Sequence, residues 1–195
     1  FGRTQSAQPI RHRNVAKYRV RADGKTDLRI SKTAGGAIAE QFRRTVRNTD
    51  QADRDRYFER MLKGIGQQGS GVLEPGDVNE AGDEYAFGFK GTSENFINLP
   101  GPAGVETSIS FWGGLGDAAF NLTDEKQRTQ DFACTGYDAD DDTTYEFAEG
   151  IDILAVPTPV QLKDEFFTYD AKYIRDGSSV VVRRTLKFHT QKAVC

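Results

Sequence analysis

The chain has 195 residues, with 26 Lys plus Arg against 29 Asp plus Glu and a formal net charge of -3. Hydrophobic residues at 37% and charged residues at 28% fit a folded domain with long polar loops, one able to bury roughly 70% of its unfolded surface. This charge balance excludes non-specific nucleic-acid binding as the main role, and no apolar run approaches the roughly 18 residues of a membrane span.

Residues 1–15 carry several basic side chains and no sustained apolar period, and they read as a linker or flexible arm. Residues 16–195 then read as a single α+β domain. From Lys17 the chain alternates through Tyr18 and Val20, turns at Asp23-Gly24 and alternates again through Leu28 and Ile30, which predicts a β-hairpin. After Gly35-Gly36 the period lengthens, placing Ile38, Phe42 and Val46 on one helical face. Thr49 or Asp50 can cap a second helix whose stripe is Phe58, Met61, Leu62 and Ile65, with Gly64 at its end. The pattern therefore predicts a helical hairpin over residues 36–64.

Beyond Gly66 the signals are those of strands and turns. Gln67 to Gly71 is a Gly-rich connection, Pro75-Gly76-Asp77 a turn, and Glu84 to Lys90 a half-buried strand carrying Tyr85, Phe87 and Phe89. Residues 91–122 form a long Gly- and Pro-containing loop rich in apolar side chains, expected to pack on the core. Strands follow over Gln130 to Thr135, Thr144 to Val156 with a break at Gly150, Phe166 to Ile174, and Ser179 to His189, the last two joined at Asp176-Gly177. The expected fold is a mostly antiparallel sheet or β-sandwich with the helical hairpin inserted near the N-terminus.

Four groups of residues could carry chemistry. The two cysteines, Cys134 and Cys195, make no CxxC pair, and with only His12 and His189 no local zinc spacing exists. They are either a disulfide, which would close a loop of about 60 residues and contribute about 4 kcal/mol, or unrelated thiols. A nucleophile-base pair of Cys134 and His189 is disfavoured, because Cys134 lies in a strand and not at a helix start. Asp138, Asp140 and Asp142 have the spacing of the first three ligands of a calcium loop, with Glu149 at the twelfth position. Thr143 replaces the required glycine, so a solvated acidic hairpin tip is the preferred reading. Tyr85, Phe87 and Trp112 could form an aromatic platform for a sugar ring, although aromatics at alternate strand positions are more often core. No phosphate-loop, dinucleotide or hydrolase motif is present, and no cofactor is expected.

The last third adds a resemblance. Ile153-Leu154-Ala155-Val156-Pro157, Phe167 with Tyr169 and Tyr173, Asp176-Gly177, Val181-Val182-Arg183-Arg184 and Val194-Cys195 resemble the C-terminal, non-catalytic region of bacterial secreted transglutaminase-like proteins. Earlier segments agree: Leu62 to Gly66, Gly69-Ser70-Gly71, the strand with Tyr85 and Phe89, and Asn95 to Pro102. In that family a β-sandwich domain of unknown function precedes a papain-like transglutaminase core. The resemblance implies no catalytic residue in this chain, cysteines matching Cys134 and Cys195, and a periplasmic or secreted location. The expectation is a non-enzymatic accessory module that stabilises or positions an upstream transglutaminase-like domain, a reading that the start at Phe1 suits. The alternatives are a β-module binding cell-envelope glycan or protein, and a stand-alone cysteine hydrolase.

Overall fold

A computed structural model of the protein describes residues 9–80, 82–106, 115 and 136–189. Eight strands and two helices follow in the order β1 (Ile10–Val20), β2 (Thr26–Gly35), α1 (Ala37–Asn48), α2 (Gln51–Gly64), β3 (Gly69–Glu74), β4 (Glu84–Ser93), β5 (Tyr137–Phe147), β6 (Val160–Lys163), β7 (Phe167–Asp176) and β8 (Ser179–Phe188). All eight strands belong to one sheet, in the order β3-β4-β2-β1-β5-β8-β7-β6. Every pairing is antiparallel except that of β1 with β5 at the centre, which is parallel. The α+β class with β dominant stands. None of the described strands builds the second sheet of a sandwich.

β1 starts at Ile10, inside the segment expected to be an arm. It is instead a central strand, hydrogen-bonded to β2 on one side and to β5 on the other. The β1-β2 hairpin has the expected turn: Gly24 takes φ 83°, and its N–H donates to Arg21 O. The second hairpin, β7-β8, turns at Gly177 with φ 58°.

Both helices cover the same face of the sheet. α1 lies against β1, β2 and β4, while α2 lies against β3 and β4. Phe42, Val46, Phe58 and Leu62 are buried there, as the helical stripes require. The Asp50 carboxylate caps α2 by accepting from Asp53 N–H at 2.8 Å. At the other end Gly64 is the last helical residue. Gln67 N–H bonds Leu62 O, and Gly66 N–H, at φ 74°, bonds Lys63 O, the double closure of a Schellman motif. The Gly-rich connection read at Gln67 to Gly71 is largely β3. Its glycines let α2 approach: a Cβ on Gly71 would stand 2.6 Å from Phe58 Cδ1, and one on Gly91 of β4 2.5 Å from Phe58 Cε1.

The acidic run is not a hairpin tip. It forms β5, flanked by β1 and β8, so its side chains alternate between the two sheet faces. After Phe147 the chain leaves the sheet, turns at Gly150 (φ 88°) and runs without regular structure from 151 to 159, where a strand reaching Val156 was expected. The loop after Ser93 packs inward through Phe96, whose ring stacks on Tyr18 at 5.3 Å, while Tyr18 stacks on Tyr145 at 4.9 Å.

Candidate functional site

The registers align four polar residues side by side on the covered face: Lys32 of β2, Asn14 of β1, Asp141 of β5 and Arg184 of β8. All four are buried, none more than 7% exposed. An Arg184 guanidinium nitrogen lies 3.5 Å from Asp141 Oδ2, and the Asn14 side chain hydrogen-bonds Asp141. Asn14 Oδ1 and Arg184 Nε find no hydrogen-bond partner among the described residues. Burial pushes the Asp141 carboxyl up from its ordinary pKa, against the pull of Arg184, Lys32 and the bond from Asn14. Tyr18 and Tyr145, on the same face, have their phenols driven far upward, again chiefly by burial.

On the open face of β5, Asp138, Asp140 and Asp142 each stand in register with at least one basic residue of a neighbouring strand. Asp138 is in register with Arg11 and Lys187, and Asp140 with Arg13. Asp142 faces Arg183 at 3.6 Å, and Lys17 and Arg19 converge on Glu146 farther along. The acidic spacing is thus that of a strand face neutralised by its neighbours. Glu149 lies beyond the strand in the turn. Among the described residues no group of three His, Cys, Asp or Glu side chains could hold a metal ion.

Tyr85 and Phe87 offer no platform for a sugar. Both are buried in the core: Phe42 of α1 meets Phe87 edge-on at 5.5 Å, and the Tyr85 hydroxyl donates to Pro75 O. Trp112, Cys134 and Cys195 lie outside the described residues. His189 is exposed just past β8, its backbone N–H bonded to Phe166 O at 2.7 Å.

An open groove of about 970 Å³ runs between two irregular segments, 97–105 and 149–157, over Tyr145, Phe147 and Val180. Its lining is apolar apart from Tyr145, Glu149 and Asp152, and contains no basic residue among the described residues. The volume falls within the range of small-ligand pockets.

Residues 115–193 match the family described as "Domain of Unknown Function with solved-structure structure (DUF3858)". They hold a DUF3858 domain. Strands β5 to β8 lie within it, while β1 to β4 and both helices precede it. The polar row therefore crosses its boundary: Lys32 and Asn14 come from the preceding region, Asp141 and Arg184 from the DUF3858 domain. The match makes no link to transglutaminase-like proteins. No curated protein and no solved structure matches the chain.

Neither the row nor the groove stood out in the sequence reading. For the row a signal existed. Lys32 is flanked two residues away by Ile30 and Ala34, and Arg184 by Val182 and Leu186, so each polar residue occupies an inward position of an alternating strand. Nothing comparable marked the groove, whose walls are irregular chain.

Proposed function

We propose that this chain is a non-catalytic accessory module of a larger cell-envelope protein, stabilising or positioning an upstream transglutaminase-like domain. The observation that carries this reading is how the buried charge is used. Lys32, Asn14, Asp141 and Arg184 are consumed in a row that ties the DUF3858 domain to the region before it. A buried ion pair adds little net stability over apolar residues of the same volume, so the role proposed for this row is to specify which strands meet. The C-terminal resemblance supplies the identity of the partner and the periplasmic or secreted setting.

The test is to mix the purified chain with the separately expressed domain encoded upstream of it and follow both by thermal melting and size-exclusion chromatography. A raised melting temperature of that domain, with no peptide or isopeptide hydrolysis by the chain alone, is the expected outcome. Turnover by the chain alone that disappears in Cys134→Ala would replace this reading with a hydrolase.

A further inference from the structure

The groove beside Glu149–Pro157 has the features of a peptide site. We propose that it holds an extended apolar segment of a partner polypeptide bearing a basic residue. Three observations converge on this occupant.

The first is the segment that forms one wall. Ile153 and Val156 pack partly against the core, whereas Leu154 is 82% exposed. A large aliphatic side chain held this far into water next to an apolar groove is positioned to cover something. Other exposed apolar side chains gather in the same part of the chain: Val160 and Leu162 on the edge strand β6, then Phe166 and Ile174.

The second is the backbone. Among the described residues, none of the N–H groups from Asp152 to Val156 meets an acceptor of the protein. Among the described residues, the hydrogen bond that reaches this stretch comes from Arg175, which donates to Ile153 O at 2.9 Å. Unpaired N–H groups in irregular chain at a groove wall are what an incoming extended segment uses for main-chain hydrogen bonds.

The third is charge. Glu149 and Asp152 are exposed on this wall, and Arg175 is not part of the lining. An apolar segment with a Lys or Arg beside its hydrophobic residues complements this lining, and an acidic one is repelled by it.

The experiment uses fluorescence anisotropy with the full chain and two labelled octapeptides, Gly-Lys-Leu-Val-Leu-Val-Leu-Gly and the same sequence with Glu in place of Lys. The Lys peptide should bind about fivefold more tightly than the Glu peptide, a preference set by two exposed carboxylates, and raised salt should shrink the difference. The double variant Glu149→Gln with Asp152→Asn, both at exposed positions, should abolish the preference. Leu154→Ser should weaken both peptides alike. Circular dichroism establishes that the variants are folded. Absence of binding, equal binding of the two peptides, or a preference that survives in the double variant overturns the proposal.

Discussion

Arg184→Met removes the cation of the buried pair while keeping an unbranched side chain in its place. At the observed 3.5 Å, two unit charges attract by about 5 kcal/mol at an effective dielectric of 20, and breaking a buried pair costs about 3 to 5 kcal/mol because the remaining charge is stranded. The stranded group here is Asp141, which has an escape: it can take up a proton. Its folded-state pKa is already raised by burial, and losing Arg184, the strongest influence holding it down, raises it further. A carboxyl bound to its proton more tightly in the folded than in the unfolded chain contributes its full stability below the ordinary carboxylate range. That contribution is lost as pH rises through the raised value.

The cost of Arg184→Met relative to the parent chain should therefore depend on pH. We expect about 3 kcal/mol at pH 8, where the carboxylate has lost its guanidinium partner, and a clearly smaller loss at pH 5, because a raised pKa favours the neutral carboxyl as the pH falls. Urea denaturation followed by circular dichroism at both pH values measures it. Equal losses at the two pH values, or a larger loss at pH 5, would refute the reasoning that Arg184 serves mainly to keep Asp141 ionised.

Other substitutions probe the packing and the ends of the chain. Gly91→Ala puts a Cβ 2.5 Å from Phe58 Cε1 and 2.4 Å from Ser70 O, so it should destabilise by about 1 to 3 kcal/mol. Thermal melting should show this, with part of the loss recovered by Phe58→Leu, and an unchanged melting temperature would mean that α2 does not sit tightly on β3 and β4. Asp50→Ala removes the acceptor for Asp53 N–H and should cost about 1 kcal/mol in chemical denaturation, whereas Asp50→Asn should cost much less. Titration of the denatured, unreduced chain with a thiol reagent should find no free thiol if Cys134 and Cys195 are bonded; two thiols would remove the disulfide and weaken the case for an oxidising compartment.

Local patterns were legible wherever one strong period ran uninterrupted. The β1-β2 turn, the stripes of α1 and α2, the Asp50 cap, β4 and the β7-β8 hairpin all follow from side chains within a few residues of one another. Reading failed where a polar residue occupies an inward position. His12 and Asn14 break the alternation of β1, so its first half resembled an arm, and Asp141 with Thr143 made β5 resemble a solvated tip. The aromatic candidates Tyr85 and Phe87 had the right alternation for a strand, but sequence could not say that α1 would cover them.

By itself, then, the sequence determined the strand-rich α+β class, the helices and the tight turns, because backbone preference and apolar period act over short stretches. Only the tertiary structure decided which strands meet. The parallel register of β1 with β5 joins residues more than a hundred positions apart, and no local propensity encodes such a pairing. That register converts a basic strand and an acidic strand, each unexplained alone, into neighbours that neutralise one another on the open face. On the covered face it sets Asn14 beside Asp141 and so completes the buried row. The groove is likewise a product of assembly, made where two irregular segments are brought together over the end of a sheet neither belongs to.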